Sequence, residues 1–323
     1  MESRNNARPV VEAGMLSALI IVMVILVQFV PLLGLIGFLV LPIPVAVLYI
    51  RHNFKLAVTS VVASILISCV VIGVAGGISY GIQYGFVGMA LGYCFKKGIK
   101  ESKSLLILTI FSLLGVLLTV VLYFLITNKN IMIETLSMFS DTLKQTLQQY
   151  GNVGGTQVST DLLASFSLQS LIALIPGILV VSSFLLAFIN FIVTRSILKR
   201  LGFEVVELVP FERVYIDNRI GALLIVASLL GLTLQSRNML AGRYLYNSVM
   251  ILMYYTFTVT GAALVYFFLK NKLNIRKGSA VFMTIVAVLI GSSGMFIPIL
   301  GFADLIMDFR KVDPNRLFKS RSR

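Results

Sequence analysis

Two carboxylates and a guanidinium stand near the end of an otherwise apolar run, Phe296-Ile-Pro-Ile-Leu-Gly-Phe-Ala-Asp-Leu-Ile-Met-Asp-Phe-Arg310. Asp304 and Asp308 are four residues apart and share one helical face, with Arg310 and Lys311 just beyond. A carboxylate among apolar residues is costly unless it is paired or hydrated. Two readings follow: substrate or proton coupling at Asp304, or an ion pair with an arginine of the basic stretch between 195 and 219. A second polar group lies in another apolar run, where Asn190 precedes Arg195: Asn190 can donate and accept between helices, and Arg195 can reach an interface. A third feature is Pro42 with Pro44, which interrupt an apolar segment. They produce a kink or free backbone carbonyls for a ligand or ion.

Other chemistries find no residues. Cys69 and Cys94 fall in different apolar runs and the only histidine, His52, lies in a basic turn, so no metal, disulfide or Cys/His nucleophile is expected. There is no phosphate-binding lysine loop and no dinucleotide fingerprint, and no cofactor is expected. An enzyme would need acidic, histidine or serine groups clustered at one depth, and the sequence assembles none.

The elements that hold these residues are apolar helices. The chain has 323 residues, 58% of them hydrophobic and 12% charged, with a mean hydropathy of +0.96. That is too apolar for a soluble domain of this size. A bilayer core of about 30 Å needs roughly 20 apolar helical residues. Spans are expected near 11–30, 34–50, 56–77, 81–95, 104–126, 168–194, 219–235 and 244–269, followed by an apolar stretch at 279–307. The expected fold is therefore all-α, a polytopic transmembrane bundle of about eight full spans. Gly291, Gly294 and Pro298 make the last stretch either a folded-back hairpin or one kinked span.

Charge placement sets orientation. With the N-terminus cytoplasmic and the last stretch folded back, 23 of the 27 Lys and Arg residues fall on the inner side. The net charge of +14 is thus spread over turns and a basic tail at 309–323, where it meets anionic lipid headgroups; no nucleic acid is expected. The large external segment is 127–167. Within it Met132, Leu136, Phe139, Leu143, Leu147 and Tyr150 recur at spacings of three or four, an amphipathic helix that serves as a lid, an interfacial helix or a cap on the spans. No internal repeat divides the chain, so 1–323 is expected to be one integrated membrane domain. Small residues recur four apart at Ala13 and Ser17, Gly14 and Ala18, Gly73 and Gly77, and Gly88 and Gly92. Such pairs let helices approach closely, inside the chain or against a partner.

Several of these elements together carry a resemblance. Leu41-Pro-Ile-Pro-Val-Ala-Val-Leu with Arg51, Gly85-Phe-Val-Gly-Met-Ala-Leu-Gly92 with Lys96-Lys-Gly98, Asn190 with Arg195 and Leu201-Gly202, Pro210-Phe211, and Gly301-Phe-Ala-Asp304 to Asp308-Phe-Arg310 resemble the YybS-like family of predicted bacterial membrane proteins (DUF2232) over nearly the whole chain. More distantly, that family is similar to the substrate-binding membrane subunits of energy-coupling-factor vitamin transporters. Those subunits usually have about six spans, fewer than expected here. The distant likeness implies a small-molecule ligand and a transmembrane coupling subunit contacted through Ala13, Gly14, Ser17 and Ala18. The alternative is a scaffold, assembly or regulatory partner of another membrane protein. The implied home is a Gram-positive-type bacterial plasma membrane. For the topology, a cysteine placed after Arg316 in a cysteine-free background is expected to resist membrane-impermeant labelling from outside intact cells; efficient labelling would establish a single C-terminal span.

Overall fold

Backbone that crosses lipid must satisfy its own hydrogen bonds, and regular structure among the described residues is helical throughout. The computed structural model describes residues 3–30, 37, 39–154, 167–293 and 295–312. The end of the external segment, 155–166, and most of the basic tail, with Arg316, Lys319, Arg321 and Arg323, lie outside the described residues.

In chain order the helices are α1 (Ser3–Phe29), α2 (Pro42–Arg51), α3 (Phe54–Ile72), α4 (Val74–Lys96), α5 (Glu101–Thr127), α6 (Ile131–Gly154), α7 (Leu168–Ile172), α8 (Ile175–Arg200), α9 (Asn218–Ser236), α10 (Leu240–Phe267), α11 (Lys277–Ser293) and α12 (Phe296–Met307). Each boundary has a local cause. The Asn53 side chain accepts from Leu56 N at 2.9 Å and starts α3. Gly73, at φ 84, separates α3 from α4 in a conformation that a Cβ would oppose. Asn128 takes the left-handed conformation that ends α5. Pro176 in the first turn of α8 has no N–H to give and divides the stretch expected as one span, 168–194, into α7 and α8. Asp217 caps α9 by accepting from Arg219 N at 2.9 Å.

Among the described residues six helices are long and apolar enough to cross a membrane: Pro9–Phe29, α3, α5, α8, α9 and Leu240–Lys272. The pair α11 and α12 makes a seventh only if taken together, and the two are bent by 110°. Eight full spans were expected, and the difference lies at two places. Of 34–50, residues 34–36 and 38 are outside the described residues, and α2 alone, at 10 residues, is about 15 Å long. The span at 81–95 belongs to α4, which at 23 residues is long enough but carries six glycines, three tyrosines and a glutamine. Its low apolarity fits its place: α4 packs against α2, α3 and α5, so little of it faces outward.

The helices gather into two compact units, Met1–Leu168 with Ser182–Glu207, and Gln169–Val181 with Leu208–Arg323. In the first, α3 shows how a lipid-solvated helix is patterned. Ser60, Ser64 and Ser68 face inward at every fourth position, while Leu66 and Val70 face outward at 64% and 85% exposure. Lipid offers no hydrophobic reason to associate, so contact comes from small side chains that let backbones approach. Glycines of α4 meet α3 in antiparallel register, Gly77 at Cys69, Gly81 at Ile65 and Gly85 at Val61, and in each case an added Cβ would overlap the neighbour. Further along, Gly88 meets Pro42 and Val45 and Gly92 meets Tyr49, which run parallel on α2. In the second unit α10 packs against α9, α12 and α11. Helix α6 forms where the amphipathic pattern predicts it. Met132, Leu136, Leu143 and Leu147 are half-buried, but Phe139 is exposed.

The glycine register generates a stability prediction. Gly81→Leu is expected to destabilise the chain by about 1–3 kcal/mol through overpacking, read as a lower thermal midpoint in detergent. Gly14, where a Cβ meets nothing, is expected to accept leucine without change. Equal midpoints for both variants would contradict the α3 to α4 interface.

Candidate functional site

In the second unit, α10 and α12 cross at two glycines. A Cβ on Gly261 would collide with the Ile297 carbonyl, and one on Gly301 with the Phe257 carbonyl. The approach brings Asp304, one turn beyond Gly301, into the interior, where its side chain is 5% exposed. Helix α12 then stops: Asp308 adopts the left-handed conformation at φ 44, and its N–H donates to the Asp304 carbonyl at 2.8 Å. The reversal folds Arg310 back onto Asp304. Arg310 Nε donates to Asp304 Oδ2 at 2.8 Å and Nη2 reaches the same oxygen at 2.7 Å. Arg310 Nη1 donates to the Glu212 carbonyl at 3.1 Å, and the Glu212 carboxylate accepts from Lys270 Nζ at 2.6 Å.

A chain of charge therefore runs from the end of α10 through the 211–213 turn to the end of α12. The arginine that meets Asp304 comes from its own C-terminal turn, six residues on. The 195–219 stretch contributes a carbonyl through Glu212. Asp308 shares the expected face but serves its own turn, its Oδ1 accepting from Val312 N at 2.9 Å. Asp304 Oδ1, by contrast, is buried and meets no hydrogen-bond partner. It borders a small cavity lined by Tyr215, Ile216, Thr260, Asp304, Leu305, Asp308 and Arg310, with room for about one water molecule.

The first unit holds a neutral polar pocket. The chain is helical at 39 and 40, turns at Leu41 and resumes at Pro42, so Pro42 and Pro44 occupy a first turn, where a missing N–H is tolerated. Facing them on α8 is Asn190, which is 1% exposed. Its Nδ2 donates to the Leu186 carbonyl at 3.0 Å, and its Oδ1 has no partner. Asn190 and Pro42, but not Pro44, line a pocket with Leu41, Tyr80, Gln83, Tyr84, Val87 and Leu186, none of them charged. The buried Tyr84 hydroxyl makes no well-formed hydrogen bond, with Ser64 its polar neighbour. Arg195 does not join this pocket: its Nε donates to the Val206 carbonyl at 2.7 Å and ties α8 to the following loop.

The small-residue positions divide. Ser17 is buried, donates to the Ala13 carbonyl at 2.8 Å, and lies 2.6 Å from the Ser60 hydroxyl. Gly88 and Gly92 are likewise used inside, against α2. Gly14 and Ala18 face outward beside Val11 and Met15. Sequence reasoning passed over Glu12, whose carboxylate meets Arg51 and, at 2.9 Å, His52. It also passed over Gln83 and Tyr84, which lie in a stretch without charged side chains, and Thr260, Glu212 and Lys270. An acidic residue in the first apolar run, and a Tyr-Gly-x-Gln-Tyr cluster on one helix, were the available signals. Among the described residues no three His, Cys, Asp or Glu side chains are placed to hold a metal ion.

The buried pair is directly testable. Arg310→Met strands a buried carboxylate and is expected to cost about 3–5 kcal/mol, whereas Asp304→Leu with Arg310→Met removes both charges and recovers most of that loss. Thermal unfolding of the two variants decides it; a double variant no more stable than the single one would mean that the pair is not coupled.

Comparison with known proteins places the chain. The protein "Uncharacterized protein YybS" of Bacillus subtilis (strain 168) is 26% identical over 308 residues, which covers 93% of this chain and 96% of that protein. No solved structure matches. The family described as "Predicted membrane protein (DUF2232)" matches residues 18–305, a range that includes Pro42, Pro44, Asn190, Arg195 and Asp304 and stops short of Asp308 and Arg310. With the match extending over most of its length, the chain belongs to the DUF2232 family of predicted membrane proteins.

Proposed function

We propose that the protein is a solute-binding component of a small-molecule transport system in a bacterial plasma membrane, with its N- and C-termini cytoplasmic. The observation that carries this reading is the pocket of the first unit, where Asn190 presents an unpartnered buried oxygen among Tyr80, Gln83 and Tyr84. A buried polar atom without a partner costs free energy. A small polar solute that donates to Asn190 Oδ1 would recover that cost, and an apolar pocket with a few convergent polar groups is the usual form of a small-ligand site. The outward face formed by Gly14 and Ala18 supports a membrane partner, which in this reading is a transmembrane coupling subunit.

That same face also favours a second reading, a non-catalytic scaffold or regulatory partner. Purification from native membranes in mild detergent, with mass spectrometry of retained metabolites and proteins, separates the two. The solute reading expects a stoichiometric metabolite from the wild-type chain and about tenfold less from Asn190→Ala, a loss of roughly 1.4 kcal/mol in binding. A reproducible protein partner without a metabolite, lost in Gly14→Leu, would replace it with the scaffold reading.

A further inference from the structure

Resting on the solute reading of the Asn190 pocket, we propose that its solute is an uncharged molecule with a terminal carboxamide, whose NH2 group donates to Asn190 and Tyr84. Two buried oxygens point to this chemistry. Asn190 is 1% exposed and Tyr84 2%, and both line the pocket. Asn190 Oδ1 meets no donor, because the Leu186 carbonyl holds the NH2 end of the amide at 3.0 Å. The Tyr84 oxygen receives no hydrogen either. Its polar neighbour Ser64 spends its own hydroxyl hydrogen on the Ser60 carbonyl at 2.8 Å, so toward Tyr84 it can only accept. Whichever way the Tyr84 hydrogen turns, its oxygen keeps a lone pair to offer. Both oxygens therefore call for hydrogens from a guest.

Charge and the count of hydrogens select the group. No lining side chain is charged, so a buried carboxylate, ammonium or guanidinium would stand uncompensated. A neutral hydroxyl has one hydrogen and leaves one of the two oxygens bare. An aliphatic amine has enough hydrogens but is protonated at neutral pH. A carboxamide NH2 has two hydrogens and no charge, and its adjoining carbonyl can take a hydrogen from the amide of Gln83, which lines the same pocket.

The pocket also has a direction. Asn190, Tyr84 and Val87 are buried, whereas Tyr80, Gln83 and Leu186 are half-buried. The free space holds about one water molecule, the size of one NH2 group. The rest of the solute lies toward the half-buried side, where Gln83 and Leu186 can shift to admit it.

The test uses the full-length chain purified in detergent and four probes built on the same carbon skeleton: propanamide, N,N-dimethylpropanamide, propanoate and propylammonium. Saturation-transfer NMR at equal ionic strength reads the binding of each. The expected result is saturable binding of propanamide alone, with a dissociation constant about tenfold higher in Asn190→Ala. Tyr84→Phe keeps the ring and removes an unsatisfied buried oxygen, so it retains the fold, and it is expected to weaken propanamide about fivefold. Binding of propanoate or propylammonium that Asn190→Ala abolishes would overturn the carboxamide assignment and leave the solute reading standing. The dimethyl amide binding as tightly as propanamide would do the same. Propanamide that does not bind, or that binds the wild type and both variants alike, would also overturn the assignment. The solute reading itself is decided separately, by whether a metabolite stays with the purified wild-type chain.

Discussion

A helix solvated by lipid gains little by hiding its apolar side chains, so what holds it to a neighbour is how closely the two backbones come. In the first unit that distance is set by α4. Its glycines at 77, 81 and 85 admit α3, and those at 88 and 92 admit α2. The rest of the unit follows from this contact. Among the side chains that α3 turns inward are the small ones of Ala57 and the serines 60, 64 and 68, while Val61 and Ile65 lie over the glycines 85 and 81. Leu66 and Val70 are left for the outer surface. Because α4 is enclosed on several sides, it can carry Tyr80, Gln83 and Tyr84 without presenting them to hydrocarbon, and the polar pocket exists because the glycines made that enclosure possible.

The second unit uses the same device at one crossing and adds electrostatics. Gly261 and Gly301 bring α10 and α12 into contact at their carbonyls. Asp304, close behind, is then withdrawn from bulk solvent and is paired with Arg310. Helix α12 ends one turn later, and the left-handed residue Asp308 reverses the chain so that Arg310 can reach it. A longer α12 would have carried Arg310 away from Asp304. The helix length, the left-handed turn and the ion pair are therefore one arrangement, and the Glu212 carbonyl fixes it from the side of the 211–213 turn.

Much of this was legible in residues that punctuate or that do not belong. The all-helical fold, the amphipathic α6 and the presence of polar groups at Asp304 and Asn190 within apolar helices all followed from pattern. The partner of Asp304 did not, because the sequence places Arg310 six residues away on a continuing helix, and only the left-handed turn at Asp308 brings it back. Span number was obscured for a related reason. Apolarity measures contact with lipid, and α4 is largely buried in its own unit, so its glycines and tyrosines lower the signal without shortening the helix. Pro176 is a break that apolarity does not register, because the residues on both sides of it are equally apolar. The division of Ala13, Gly14, Ser17 and Ala18 between an inner and an outer face depends on where α3 lies, and spacing alone does not fix that.

If the pocket binds a solute as proposed, the orientation of the Asn190 amide determines what it can recognise. Oxygen and nitrogen of a side-chain amide are interchangeable in shape, and only the hydrogen-bond partners tell them apart. Here the partner is the Leu186 carbonyl, which can accept but never donate. The NH2 group must therefore face the helix backbone, and the group left over is the oxygen. Tyr84 beside it carries a hydroxyl that can turn either way, and Gln83 offers both a donor and an acceptor. The lining thus has one fixed acceptor beside the polar side chains of Tyr80, Gln83 and Tyr84, and it carries no charge. Discrimination in such a pocket rests on a donor in the right place, because an isostere that lacks it leaves Asn190 Oδ1 as bare as before.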